Sequence, residues 1–353
     1  PPYAENLVIR NPTHRSGIPN NPITVTADIG ANVVIKPLDC GPSQPSGGCT
    51  GLRIAPTSNS ALTDWIFKGL KLGAIPTSHV GAEVAAGTSI VFQQVSLDTS
   101  LNSHHTAGIR ISGGEGIRIL GSTLSNSMFL TDLRLDLVEL TGAPVGTMIL
   151  QNDFSGSALH DAIEIHGTGR KPAVIADNKF HDCSPGDAAV FLYYGAAGTR
   201  LYGNEFWNLV GKVAIGIQRS GQVFISNNTF HNVGTGVQFL RQGGYTTIKN
   251  NVFSMCAASA VGATGETLPG GTHNGSVVDY NVFFNCGPGI AVNIDPNNFD
   301  HLPISNCQGC DPQFVDAANA NFRLSSASSP AVGMGDPASA VPWDGDVRID
   351  AGR

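Results

Sequence analysis

The amino-acid sequence predicts an all-β protein wound as a parallel β-solenoid, and three observations predict it. The first is a repeated phrase: Asn152-Asp153-Phe154, Asn178-Lys179-Phe180, Asn204-Glu205-Phe206, Asn228-Thr229-Phe230, Asn251-Val252-Phe253 and Asn281-Val282-Phe283. Its asparagines lie between 23 and 30 residues apart, the period of one supersecondary unit copied and stacked. The second is a short apolar alternation in most copies: Ile109-Arg110-Ile111, Leu133-Arg134-Leu135, Ile163-Glu164-Ile165, Ile215-Gly216-Ile217 and Val237-Gln238-Phe239. Alternation with period two, bounded by Gly, Asn and Asp, is the pattern of a half-buried strand. The third is that no helical period separates these strands, while Gly 43 and Pro 21 supply turns. Stacked coils would place each Phe in the core and each Asn in a side-chain ladder that satisfies backbone groups at a turn.

The elements follow in order. Residues 1–50 are irregular and Pro-rich, with strand phrases at Ile23-Thr24-Val25-Thr26 and Val33-Val34-Ile35, and are expected to cap an open solenoid end. Coils are expected from 51 to 315, the early ones longer, around Trp65-Ile66-Phe67 and Ile90-Val91-Phe92. Gly262 to Asn274 reads as an inserted loop, and 316–353 as a tail packing on the solenoid. Because a solenoid grows by adding coils, a single domain is expected. Of seven cysteines, Cys40 and Cys49 bracket a Pro/Gly loop suited to a disulfide. Cys307 and Cys310 form a Cys-x-x-Cys, a disulfide or half of a metal site. Cys183, Cys256 and Cys286 each fall three positions after a ladder Phe and read as small buried residues, with a Cys256–Cys286 bridge left open.

Composition narrows the function. Only 13% of residues are charged and the net charge is −7, so no global field draws the chain to nucleic acid or to an anionic membrane. No run of 18 apolar residues is present, so no membrane span is expected. The chain starts at Pro1-Pro2-Tyr3 without Met, as a processed chain would.

The Asn-x-Phe coils, with the tail at Asp311-Pro312-Gln313-Phe314, Asn321-Phe322-Arg323-Leu324 and Asp344-Gly345-Asp346, resemble the secreted right-handed parallel β-helix proteins of the pectin-lyase-like superfamily. That resemblance covers about residues 50 to 350. It implies a polysaccharide lyase, glycoside hydrolase, uronate epimerase or adhesin, because one fold hosts many chemistries. In the alginate-lyase and chondroitinase group it implies a Lys base, an Arg acid and a Ca²⁺ held by carboxylates, although no Lys–Arg pair is assigned here. The expected setting is extracellular, and the expected partner an extended polysaccharide bound by a monomer.

Candidate site residues come from the outward positions of the alternating strands, which form a column across coils about 4.8 Å apart. The column reads Arg110 and Ser112, Arg134 and Asp136, Glu164 and His166, Phe191 to Tyr194, Gln218 and Arg219, then Gln238 and Arg241. It is richer in Arg, acid, His and Tyr than an ordinary solvated face, although a ladder of surface ion pairs would also use such residues. β-Elimination on a uronic-acid polymer needs a base for the C5 proton, a cation for the developing enolate and an acid for the leaving oxygen. His166, Glu164, Tyr193 and Arg219 are the catalytic candidates, with His166 or Tyr193 as base, Arg219 neutralising and Tyr194 or Lys171 nearby as acid. Arg110, Arg134, Tyr194, Lys171, Gln218 and Arg241 are the substrate-binding candidates. Asp161 and Asp187, 26 residues apart, are expected on adjacent coils and would serve as a hydrolase pair, as turn caps, or as ligands of Ca²⁺ with Asp136 or Glu164. C5 epimerisation would use the lyase apparatus, and a non-catalytic glycan-binding module would use the groove alone. His104, His105, His160 and His166 match no standard transition-metal spacing.

Overall fold

A computed structural model describes residues 7–9, 17–18, 20–27, 34–35, 50–55, 62–72, 80–99, 106–126, 135–142, 144–167, 171–241, 243–263, 275–287, 299–301 and 306–336. Cys40, Cys49, His104, His105, Arg134 and most of the 262–274 insertion lie outside them, and only the backbone of Arg241 is described. The chain is a parallel β-solenoid. Its contacts divide it into two compact units, 1–174 with 183–186, and 175–182 with 187–353.

In the first unit three strands make one coil, and like strands of successive coils pair in parallel. One ladder runs Thr50–Ile54, Val80–Val84, Thr106–Ile111, Leu135–Leu140 and Asp161–Ile165. A second runs Ile23–Thr26, Thr63–Lys68, Thr88–Gln93, Arg118–Leu120 and Met148–Leu150. A third runs Val34–Ile35, Lys71–Leu72, Ser96–Thr99, Thr123–Asn126 and Asp153–Leu159. Inward residues such as Ile109, Ile111, Val138, Leu140, Ile163 and Ile165 are fully buried. Because side chains alternate, the residue between each such pair projects outward.

The second unit carries five of the six copies of the repeated phrase. Phe180, Phe206, Phe230 and Phe253 stack nearly parallel, with ring centroids 4.6, 4.9 and 4.5 Å apart, and Phe283 follows at 5.4 Å. Beside them the asparagines form a ladder through Asn178, Asn204, Asn228, Asn251, Asn281 and Asn306. In each step the next Asn Oδ1 accepts both the backbone N–H and the side-chain amide of the one before. Asn306, which no Phe follows, extends the ladder one rung beyond the repeated phrase. Leu209, Val233 and Cys256 occupy one buried column, as their spacing from the Phe predicts. Cys256 and Cys286 are joined in a disulfide, and so are Cys307 and Cys310. Cys183 is buried, and its thiol donates to Phe154 O at 3.6 Å. The tail forms an antiparallel hairpin, Phe314–Asp316 with Asn321–Leu324, whose Phe314 and Phe322 rings meet Trp207 and His231.

Candidate active site

The outward column of the first unit begins as alternating charge. Arg53, Glu83, Arg110, Glu139 and Glu164 are successive Cα partners across five coils. Arg53 bonds Glu83 at 3.1 Å and Arg110 bonds Glu139 at 2.7 Å. The alternation then fails, because Glu139 faces another acid, Glu164, which turns instead to His166 at 2.8 Å. The register corrects one expectation. The coil holds two apolar–charged–apolar phrases, and Val138-Glu139-Leu140, rather than Leu133-Arg134-Leu135, supplies the position between Arg110 and Glu164.

Three residues before Glu139 and Glu164 on their strands lie Asp136 and Asp161, themselves Cα partners. His160 sits at the corner that leads into the Asp161 strand. Its Nδ1 lies 3.2 Å from Asp136 Oδ1 and 3.0 Å from Asp161 Oδ2, so one imidazole is shared by two carboxylates. Asp161 is completely buried, and Asp136 and Glu164 are 7% exposed. Donor atoms of Asp136, His160, Asp161 and Glu164 all lie within 4.8 Å of one another, and Glu139, Glu164 and His166 form a second such group sharing Glu164.

This crowding sets the protonation states. Burial, reinforced by the charges on Glu164 and Asp161, pushes the Asp136 carboxyl well above the ordinary carboxylate range against the pull of His160. The hydrogen bonds to Asp136 and Asp161 push His160 up to about 11 in spite of its burial, so it is an imidazolium at neutral pH. Burial alone would raise Glu164, but its hydrogen bonds to His166 and Asp136 and the two imidazolium charges outweigh that and lower it. His166 is raised, chiefly by its hydrogen bond to Glu164. The result is one carboxyl pushed up beside another held down, with the His160 imidazolium shared by two acids.

The other sequence candidates are placed as follows. Lys171 is exposed and paired with Glu115 at 2.6 Å, on a turn next to Gly146. Asp187 is exposed in the second unit and is not among the clustered donors. Tyr193, Tyr194, Gln218 and Arg219 assemble with one another in the second unit. There Tyr193 and Gln218 are Cα partners, Tyr193 and Tyr194 meet edge to face at 4.3 Å, and Arg219 lies over the Tyr194 ring at 4.7 Å. Sequence reasoning passed over Arg53, Glu83 and Glu139, although Leu52-Arg53-Ile54 and Ala82-Glu83-Val84 carry the same apolar–charged–apolar signal as Ile109-Arg110-Ile111. It noted His160 only as one of four histidines, since a corner residue has no alternation to reveal its direction.

No curated protein matches the sequence. Among solved structures the chain is similar to pectate lyase Pel9A, at 18% identity and a TM-score of 0.51, covering 99% of this chain and 83% of that one. It is also similar to the PL6 family alginate lyase AlyGC, at 14% identity and a TM-score of 0.49, covering 85% of this chain and 46% of that one. The periplasmic alginate epimerase AlgG is similar at 12% identity and a TM-score of 0.45, covering 82% of this chain and 85% of that one. At such identities the likeness is one of fold. The sequence model of the right handed beta helix region matches residues 50–267 and 161–327, and the chain therefore belongs to the right-handed β-helix family.

Proposed function

We propose that the protein is a cation-assisted polysaccharide lyase that cleaves a uronic-acid polymer by β-elimination. The observation that carries this reading is the group Asp136, His160, Asp161 and Glu164, three buried carboxylates around one imidazole on the outward side of a β-helix. The donor set fits a hard divalent cation such as Ca²⁺, which takes carboxylate oxygens, and Asp136, Asp161 and Glu164 would hold it. Crowded acids that push the Asp136 carboxyl up are the arrangement such an ion would relieve. When bound, Ca²⁺ would draw a uronate carboxylate to the cluster and offset the negative charge that builds there as C5 loses its proton.

The chain's own residues supply the rest. In β-elimination the C5 proton passes to a base, here a carboxylate of the cluster, the C5–H electron pair forms the C4–C5 double bond, and the C4–O bond breaks with a second proton passing to the leaving oxygen. His166, half-exposed and raised by its hydrogen bond to Glu164, is suited to give that proton rather than to take the one from C5. Arg110 is held by Glu139 beside Glu164 and adds positive charge along the path of the polymer. Two disulfides support a location in an oxidising, extracytoplasmic compartment.

A hydrolase reading has one observation of its own. The Asp136 carboxyl is pushed up beside a Glu164 that is held down, with donor atoms within 4.8 Å, close to the roughly 5 Å separation of a retaining acid–nucleophile pair. One assay separates the readings. Pectate, alginate, glycosaminoglycan and neutral glycans are incubated with and without Ca²⁺, and both ultraviolet-absorbing unsaturated ends and new reducing ends are measured. Unsaturated ends from one uronate polymer, lost with chelator, are the expected outcome. Reducing ends without that absorbance would replace the lyase with the hydrolase.

A further inference from the structure

In the second unit we propose that Arg219, laid over the ring of Tyr194, is a recognition site for the carboxylate of an acidic sugar residue. The site stands on its own geometry, and the identity of its anion rests on the uronate reading above. Arg219 is exposed and has no carboxylate within ion-pair distance among the described residues, whereas Arg53, Arg110, Lys171 and Lys249 each have one. What holds it is a ring: its guanidinium carbon lies 4.7 Å from the Tyr194 centroid. Tyr194 is braced edge to face by Tyr193, and Tyr193 stacks at 5.7 Å on the buried Phe191. A guanidinium resting on a ring keeps its N–H fork for a planar oxyanion, because the stacking does not consume those donors.

The backbone beneath is equally fixed. Tyr194 and Arg219 have φ of 30° and 54°, the left-handed region that a bulky side chain enters at a cost. Four hydrogen bonds tie the two turns together: Tyr194 N–H to Gln218 O, Gly198 N–H to Gln222 O, Ala196 N–H to Ser220 Oγ, and Ser220 Oγ–H to Leu192 O. Strain kept in place by a rigid surround is found where a side chain must be presented in one direction. An unpaired cation, preorganised on aromatics in a chain of net charge −7, matches a small anion on a flat ring. Gln218 and the Tyr193 phenol, beside it on their paired strands, have the donors and acceptors to meet sugar hydroxyls.

The test measures binding of hexagalacturonate and hexamannuronate in chelator, so that no divalent ion takes part. Three controls accompany them: a hexasaccharide whose carboxyls are reduced to alcohols, a neutral xylohexaose and a sulfated hexasaccharide. Arg219→Asn removes the guanidinium and puts a residue tolerant of left-handed backbone in its place, and thermal melting verifies its fold. It should weaken binding of one uronate ligand about 10- to 100-fold, the range of a charge-assisted hydrogen-bonded pair, with Arg219→Lys between it and the parent. The carboxyl-reduced ligand should bind the parent as weakly as it binds the variant. A folded Arg219→Asn that binds uronate as tightly as the parent overturns the site. Arg219-dependent binding of the sulfated ligand alone overturns the carboxylate assignment. Asp161→Asn, assayed in parallel, keeps the two readings apart: its loss of turnover bears on the proposed reaction, whereas its binding in chelator should be unchanged.

Discussion

Phe206 is sandwiched between Phe180 and Phe230 and completely buried, so truncating it opens a cavity between two rings that have nowhere to collapse. Phe206→Ala should cost about 3–5 kcal/mol in chemical denaturation. Asn228 does different work. Its Oδ1 accepts from the Asn204 backbone and amide, and its Nδ2 donates to Leu201 O, Ser226 O and Asn251 Oδ1. Asn228→Ala would strand several of these buried groups and should cost about 2–4 kcal/mol. Asn228→Asp keeps the acceptor but loses the donors, so it should fail to rescue the melting temperature. Rescue by Asp would mean that the amide bonds contribute little. Both residues were legible in the sequence because every coil makes the same demand: a ring to fill the core and an amide to serve the turn. His160 was not legible as a partner of Asp136. Its function depends on which way one corner side chain faces, and a single residue has no period.

At the level of strands, legibility ended where register began. Period two fixes which face a residue takes but not which of two neighbouring phrases pairs with the next coil, and a slip changes the column that results. Hence the column holds Glu139 where the alternation also offered Arg134, and the charge pattern becomes Arg110, Glu139, Glu164. The tail was foreseen as packing on the solenoid, and the described part does so through its hairpin. Phe314 and Phe322 lie 6.0 and 5.5 Å from the His231 ring, whose Nδ1 is 3.4 Å from Ser254 Oγ. Burial lowers the His231 pKa, which ties the hairpin to pH. A folded value below the ordinary 6.5 means that the unfolded chain takes up the proton first. The stability given by the neutral ring is therefore full above about pH 6.5 and declines as pH falls through that value toward the depressed one. Amide hydrogen exchange in 314–324 should accelerate from pH 7 to pH 5, after correction for intrinsic rates, more in the parent than in His231→Phe. Equal acceleration in both would show that another group governs the hairpin.

For the molecule as a whole, composition gave only permissions: an acidic chain with few charges is able to be many kinds of extracellular β-protein. The fold was nonetheless readable, because repetition multiplies a weak local signal over many coils, while the site occurs once. Of the site's clustered residues, Glu164, His166 and Asp136 were read from outward alternation and Asp161 from its spacing to Asp187, while the places of His160 and Glu139 required the coils to be laid against one another. Its chemistry has a consequence for overall stability. Three acids gathered in a buried group crowd one another enough to push the Asp136 carboxyl up, and a divalent cation that binds only the folded state must stabilise that state by mass action. At a concentration about 100 times its Kd, Ca²⁺ should add about 2.7 kcal/mol to the unfolding free energy and raise Tm, with chelator reversing the shift. Asp161→Asn keeps the side-chain shape but takes one carboxylate from the His160 imidazolium, so its apo Tm should fall, and the Ca²⁺-induced shift measured from that lower Tm should be mostly abolished. Glu115→Gln, altering an exposed acid paired with Lys171 away from the cluster, should leave the shift intact. A Tm indifferent to Ca²⁺ in the parent, or an equal shift in Asp161→Asn, would remove the cation from the cluster. The Asp136 carboxyl pushed up beside a Glu164 held down would then be the arrangement to explain, which is that of the acid–nucleophile pair of a hydrolase.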